Sequence, residues 1–309
     1  MPRSCRIERA SLLTGLAAAA LAISAGAGPS AQTPPQIAVR EGLARNVYIA
    51  ATDEKGAPAA DLTPQEVTVK EDGASRTVLD VHPATEPMQV VLLIDDSVRE
   101  GVASFVRIVQ DTAVVAIITT AKQNTVLVDF TSDRGALMNA INRLTSRTTT
   151  GGYLLDAIQE SARTLVRREA QRPVIVVLAL EGTEYSNVSA AHVLEDVRRS
   201  GAIVHVVSVG KPRMKTMTSW SQRPTDSIHE ALDETLTRSS VFAESTRRSG
   251  GRLEQVGQAT GIPTRLSEIA YELRDQLVVT YARPQSGKPP EKIEIAVKRR
   301  GVKVRAPKW

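Results

Sequence analysis

Cysteine and aromatic residues are what this sequence has least of. Among 309 residues there is one cysteine, Cys5, and Phe, Trp and Tyr together make up 3%. Cys5 lies ahead of an apolar run, inside a basic N-terminal stretch carrying Arg3, Arg6 and Arg9, so it is not placed as a lipid-attachment cysteine. Leu12 to Ile23 is apolar and Ala25-Gly26-Ala27 supplies small residues, the pattern of a secretory signal peptide over residues 1–27. An uncleaved anchor is the competing reading. The run is Ala- and Gly-diluted, however, and short of the ~20 apolar residues a membrane span needs. Cleavage near Ala27 leaves no thiol, which excludes a disulfide, a thiolate nucleophile and a cysteine metal ligand. Nothing then holds the chain in a membrane, and the expected location is the periplasm or the extracellular space.

Scarcity of aromatics has two consequences. The core must be built from Val, Ile, Leu and Ala, which suits a parallel sheet covered by helices on both faces. A basic patch interleaved with aromatics is missing too, so nucleic acid is not an expected partner. The formal net charge is +5, and loss of Arg3, Arg6, Arg9 and Glu8 with the leader lowers it by two. Lys298-Arg299-Arg300, the one basic run, reads as a solvated turn between strands.

Residues 28–36 are Pro-, Ser- and Gln-rich and read as a flexible leader. From 37 to 85 the pattern is β, with Glu71-Asp72-Gly73 as a hairpin signal. From Gln89 strands alternate with helices. Strands are legible at 89–95, 113–119, 125–130, 173–180 and 202–209. Helical stripes run through Val102, Phe105, Val106 and Val109, through Leu154, Ile158, Ala162 and Leu165, through Val193 and Val197, and through Leu266, Ile269, Ala270 and Leu273. Strand–helix alternation predicts a doubly wound, mainly parallel α/β sheet over 86–274. Strands resume over 275–309. Neither terminal β segment can make a core alone, so the two together are expected to form one small β domain with the α/β domain inserted between them. Trp220, in the polar stretch 211–227, belongs to neither pattern.

The strand Val90-Val91-Leu92-Leu93-Ile94 ends at Asp95-Asp96-Ser97-Val98-Arg99. Ligands bind at the carboxyl ends of such strands, and a carboxylate there either serves a cation or ligand or caps the next helix. Downstream, Gly151-Gly152 precedes Leu154-Leu155-Asp156-Ala157, the strand ending Val177-Leu178-Ala179-Leu180 reaches Glu181, and Ser249-Gly250-Gly251-Arg252 follows later. In this order the pieces resemble the von Willebrand factor type A domain. More narrowly, the chain over about 37–309 is similar to the VWFA-related domain family of Acidobacteria, whose members are secreted.

The resemblance implies a metal-ion-dependent adhesion site of the form Asp-x-Ser-x-Ser, with a loop Thr and a later Asp. Magnesium favours a near-ideal octahedron of oxygens. Asp95 and Ser97 match the pattern. Arg99 stands for the second Ser, Gly152 for the Thr with Thr150 close by, and Glu181 for the Asp. A guanidinium offers no acceptor, so the expectation is a degenerate, metal-free site with no cofactor, Arg99 supplying the missing positive charge to Asp95 or Glu181. The implied function is non-enzymatic protein–protein interaction or adhesion with an unidentified protein partner, through a surface comprising Asp95, Asp96, Ser97, Arg99, Thr150, Gly152 and Glu181. Two rival readings stay open. One is a magnesium-dependent adhesin whose site is repaired by Thr150 and water. The other is a metal-dependent hydrolase working with Asp95, Asp96 and Glu181.

Other chemistry is less supported. His82, His192, His205 and His229 are scattered, and His205 inside an apolar strand reads as structural. No nucleophile elbow, Walker loop or His-Glu-x-x-His motif is present. Glu195-Asp196 reads as the solvated side of a helix. Asn187-Val188-Ser189 reads as a glycosylation acceptor or, preferably, as a helix N-cap at Ser189.

Overall fold

The computed structural model describes residues 44–94, 99–120, 123–144, 151–180, 182–210, 226–283 and 290–309. The chain opens with four strands: β1 (Ala44–Thr52), β2 (Val67–Glu71), β3 (Ala74–Arg76) and β4 (Val78–Pro83). The alternating region follows with β5 (Met88–Ile94), α1 (Arg99–Val109), β6 (Ala113–Thr119), β7 (Thr125–Thr131), α2 (Arg134–Asn142) and β8 (Gly151–Gly152). It continues with α3 (Leu154–Arg167), β9 (Pro173–Ala179), β10 (Thr183–Glu184), α4 (Ala190–Ser200) and β11 (Ile203–Val209). Next come α5 (Asp226–Ser249), β12 (Leu253–Val256) and α6 (Ile262–Arg274). The last strands are β13 (Leu277–Ala282), β14 (Ile293–Val297) and β15 (Lys303–Arg305).

The central sheet has the order β12-β11-β9-β5-β6-β7. Only β7, at one edge, runs antiparallel to its neighbour. All seven residues of β9 and six of seven in β5 are buried, as a strand covered on both faces requires. On one face Val102, Phe105, Val106 and Val109 of α1 pack with Leu266, Ile269, Ala270 and Leu273 of α6, joined by Leu137 and Ile141 of α2. On the other, Leu154, Ile158, Ala162 and Leu165 of α3 join Val193 and Val197 of α4 and Val241 and Phe242 of α5. Burying each such side chain contributes about 1.5–3 kcal/mol.

The terminal strands meet as expected. β13 lies between β1 and β4, antiparallel to both, in register from Ala44↔Ala282 to Ile49↔Leu277. A second sheet has the order β14-β2-β3. Between the sheets lie Val47, Ile49, Val67, Val69, Leu277, Val279, Tyr281 and Ile293, a core drawn from both ends of the chain. The hairpin turn carries Asp72 at φ 48° and Gly73 at φ 82°, the left-handed pair an Asp-Gly turn supplies. Buried Glu71 accepts from the Tyr281 hydroxyl at 2.7 Å and from Arg76 Nε at 2.9 Å.

One buried cation fastens the two crossings between this sandwich and the central sheet. Arg172, 1% exposed, precedes β9. Its Nη2 donates to Gln276 Oε1 at 2.9 Å and to the Leu273 carbonyl, and its Nη1 to the Glu86 carbonyl at 3.4 Å. The guanidinium lies over the Tyr48 ring at 5.3 Å. Burial pulls its pKa down to about 10. Alongside, Ala84 N donates to the Gln276 carbonyl at 2.9 Å, tying the inbound crossing to the outbound one.

Several details depart from the sequence reading. Helix α5 carries no long apolar stripe. At its C-terminal end its buried face includes Ser245, Thr246 and Ser249 beside Val241 and Phe242, and its hydroxyls bond locally or to β11, as Ser249 Oγ does in accepting from Val204 N at 2.9 Å. Arg299 is not merely solvated. It is held by Glu66 at 2.7 Å and Asp61 at 2.6 Å, joining the β14–β15 turn to the β1–β2 connection. Glu195 is exposed, but Asp196 accepts from Gln159 Nε2 at 2.8 Å and Arg163 Nε at 2.9 Å, linking α4 to α3. Ser189 does cap α4, its side chain accepting from His192 N at 3.3 Å. The two glycines after α5 are sterically demanded. A Cβ at Gly251 would lie 1.9 Å from the Val204 carbonyl oxygen, and one at Gly250 would lie 2.4 Å from Ala306. That close approach seats the C-terminus. Lys308 N donates to the Arg248 carbonyl at 2.7 Å, and Trp309, 7% exposed, completes the α3–α4–α5 core. Trp220 lies outside the described residues.

Candidate functional site at the carboxyl edge of the sheet

Strands β5, β6 and β9 end side by side at Ile94, Thr119 and Ala179. Just past β6, Thr120 N donates to the Ile94 carbonyl at 3.1 Å. Of the seven residues expected here, Asp95, Asp96, Ser97, Thr150 and Glu181 lie outside the described residues, and Arg99 and Gly152 lie within them. Arg99 is the first residue of α1 and is exposed. Its Nε donates to the Leu144 carbonyl at 2.6 Å. Gly152 belongs to β8, which pairs in parallel with β10 so that Gly152 faces Glu184. Neither position supplies a side-chain oxygen. Among the described residues no group of three or more His, Cys, Asp or Glu is arranged to hold a metal ion.

The carboxylate that the structure does place at this edge is Glu184, which sequence reasoning missed. Helix α3 begins after Tyr153, whose side chain makes no cap. Glu184 does that work from β10. Its Oε1 accepts from Leu154 N at 3.0 Å, Leu155 N at 3.3 Å and Ser186 N at 3.3 Å. Ser186 Oγ accepts from Asp156 N at 2.9 Å. A carboxylate at a helix N-terminus is favoured by unpaired N–H groups and by the helix dipole. Burial still dominates and raises the Glu184 pKa, opposed by the hydrogen bonds from Ser186 and Leu155 and by the charge of Arg238. Glu184 Oε2 and Thr120 Oγ1 are buried without hydrogen-bond partners.

Two aromatic residues follow the β8–β10 pair along the chain. Tyr185 N donates to the Gly152 carbonyl at 2.9 Å, and Tyr153 N to the Thr120 carbonyl at 3.4 Å. The Tyr153 and Tyr185 rings stand 6.0 Å apart with planes at 48°. The one signal in the sequence was Glu184-Tyr185-Ser186 itself, an acidic and aromatic pair soon after a fully apolar strand.

His205 is remote from this edge. It is fully buried, its Nδ1 accepts from Arg252 N at 3.2 Å, and burial together with Arg252 and Arg305 lowers its pKa to about 3. It is a neutral structural histidine.

A mostly parallel sheet with helices on both faces, carrying its helix starts and loops at one edge, defines a doubly wound α/β domain. Residues 90–242 match the family model of the von Willebrand factor type A domain, and the α/β fold over that span is of the type A kind. Solved structures with a similar fold include BatB from Bacteroides thetaiotaomicron, at 14% identity, covering 60% of this chain and 98% of that one with a TM-score of 0.41. Another is an aerotolerance-related membrane protein from Bacteroides fragilis, at 18% identity, 61% and 98% coverage and a TM-score of 0.41. A third is a von Willebrand factor type A protein from Catenulispora acidiphila, at 8% identity, 87% and 74% coverage and a TM-score of 0.43. No curated protein matches the chain. Among the described residues no helix is long and apolar enough to cross a membrane.

Proposed function

We propose that the chain is an exported, non-enzymatic protein–protein interaction or adhesion module whose contact surface is the carboxyl edge of the central sheet, with a degenerate adhesion site that works without metal. The type A domain supports the interaction role. The observation that carries the metal-free reading is Arg99, a permanent cation standing at a position where the family uses a hydroxyl, with its Nε on the Leu144 carbonyl. A divalent ion at that point would meet a like charge and two missing oxygens. Export rests on the N-terminal pattern of residues 1–27.

Two measurements test this. Melting curves in magnesium and in chelator should coincide for the wild type, because a ligand that does not bind the native state cannot raise its stability. The triple variant Arg99→Ser, Gly152→Thr, Glu181→Asp should gain a magnesium-dependent rise. A wild-type rise would replace the metal-free reading with the metal-dependent adhesin. Photo-crosslinkers placed at Tyr185 and, on the sandwich, at Lys303 should recover a common protein partner from Tyr185 alone. Recovery from Lys303 alone would move the contact surface to the sandwich.

A further inference from the structure

On the α3 side of the central sheet the last two strands lie open. Helix α3 packs on β5 and β9, and among the described residues no helix covers β6 and β7 on that face. The Ile118↔Val126 pairing sets Val126 of β7 beside Ile118 of β6. With Ala116, Phe130 and Ala157 of α3 they line a groove of about 280 Å³. Val126 is 60% exposed, the most exposed large apolar side chain among the described residues. Phe130 is held from behind. The Arg168 guanidinium lies 4.3 Å from its ring, and Arg168 Nε donates to Gln89 Oε1 at 3.1 Å.

Width, edge and charge together say what fits there. Neighbouring strands are about 4.8 Å apart, so two uncovered strands offer about 10 Å, the spacing of one packed helix. An added strand fits less well. Arg143 donates to the Leu127 carbonyl and two register shifts interrupt the β6–β7 ladder, both of which blunt β7 as a template. The groove is smaller than the about 300–1,000 Å³ of small-molecule pockets, which suits side chains of a larger partner. One carboxylate stands on each wall, Asp129 on β7 and Glu160 on α3. Both are exposed, and the Arg167 partner of Glu160, at 2.7 Å, is exposed as well, so that pair is weak.

We propose that this groove receives an amphipathic helix of the partner protein. Its apolar stripe lies on Ile118, Val126 and Phe130, and lysines or arginines bordering the stripe meet Asp129 on one side and Glu160 on the other. Such side chains lay their stems along apolar surface and carry their charge outward to the rim, which matches an apolar floor between two acidic walls. The groove is continuous with the carboxyl edge. Ala157 belongs to the first turn of α3, and Asn124, also lining it, adjoins the Thr119↔Thr125 pair at the end of β6. This inference rests on the chain being a protein-interaction module and names the kind of segment it takes.

The test is an NMR titration of the full chain with ring-¹³C phenylalanine. The probe is a leucine–lysine peptide of about five helical turns, with leucines on one stripe and lysines along its borders. The control carries glutamate at every lysine position. Of the three phenylalanines, Phe105 and Phe242 are buried in the two helix-packed cores, so the Phe130 signal alone should move, and only with the lysine peptide. Phe130→Leu identifies that signal by deleting it. Val126→Asn should weaken binding at least tenfold, and Asp129→Asn with Glu160→Gln at least threefold. Val166→Asn, at an exposed position of α3, should change nothing. Melting curves confirm that each variant is folded, and should Val126→Asn not fold, the paired carboxylate variant decides. Absence of a Phe130 shift, equal shifts with both peptides, or an undiminished response in the folded variants overturns the helix groove. So does a Phe130 shift on dilution without peptide, which would assign the groove to a second copy of the chain. Crosslinking at Tyr185 judges the carboxyl edge without involving this groove, so the two readings can fail independently.

Discussion

Arg172 at the amino end of the central sheet and Glu184 at the carboxyl end are both buried, and their hydrogen-bonding capacity is met differently. At the amino end Arg172 has its donors matched to neutral acceptors, the carbonyls of Leu273 and Glu86 and the amide of Gln276. At the carboxyl end Glu184 has one oxygen matched to neutral donors and the other bare. A buried charge is tolerable only when its hydrogen-bonding capacity is met. Arg172 meets that condition and joins segments distant in sequence, so it belongs to the architecture. Glu184 meets it by half, and the unmet half lies where α/β sheets bind their ligands. The difference separates a charge used to hold the fold from one with capacity to spare.

The largest effect should come from removing what the amino-end cluster holds together. Deleting 275–309 takes away β13, the strand between β1 and β4, with Leu277, Val279, Tyr281 and Ile293 from the sandwich core. At about 1.5–3 kcal/mol per buried side chain, that loss is of the order of a whole domain's stability. The truncated chain should show no cooperative melting transition by circular dichroism. A truncated chain that melts like the full one would mean that the central sheet does not depend on the sandwich, and that Arg172 fastens nothing essential.

Next in size is Arg172→Ala. It strands the Leu273 and Glu86 carbonyls and Gln276 Oε1 and leaves a cavity beneath Tyr48, together worth about 3–5 kcal/mol in urea unfolding. Arg172→Lys, which keeps the charge but loses the planar fork, should fall between the two. A loss under about 1 kcal/mol would end the contrast between the two ends of the sheet.

Arg99→Ser should cost less. The side chain is exposed and its one described bond is to the Leu144 carbonyl, which sets the loss at about 1 kcal/mol or below. A loss near 3 kcal/mol would show instead that Arg99 neutralises buried carboxylates, and would sharpen the comparison by giving the carboxyl end a structural cation of its own.

Much of this was legible because period and turn chemistry are local. The stripes of α1, α3, α4 and α6 and the Asp72-Gly73 turn could be read directly, and pairing of the terminal strands followed from their inability to bury a core apart. Helix α5 was not legible, because at its C-terminal end it seats hydroxyls and small residues against β11 in place of an apolar stripe. Glu184 was missed for a related reason. The motif directed attention to Glu181, one residue past the apolar strand, whereas the buried carboxylate comes three residues later through a two-residue parallel pairing that no periodicity announces. Arg172, in Gln171-Arg172-Pro173, carries no local signal of its role, since its partners come from residues about a hundred positions away.

The smallest effect, and the finest test of the contrast, is in the pH dependence of Glu184→Gln. Burial raises the Glu184 pKa above the ordinary value of 4.5, so the folded chain holds this proton more tightly than the unfolded chain does. Its contribution to stability is therefore complete below about 4.5 and is lost as pH rises through the folded value. Glutamine has no proton to lose. It keeps an oxygen to accept from Leu154 and Leu155, and its stability should lack that component. The difference in melting temperature, variant minus wild type, should then be more positive at pH 8 than at pH 4.5, whatever its absolute sign. Arg172→Ala offers the matching control, because a guanidinium whose pKa is about 10 stays protonated across that range and its loss should be nearly independent of pH. Equal differences for Glu184→Gln at both pH values would mean that Oε2 is already served, as each nitrogen of Arg172 is, and that the carboxyl end has no capacity left for a ligand.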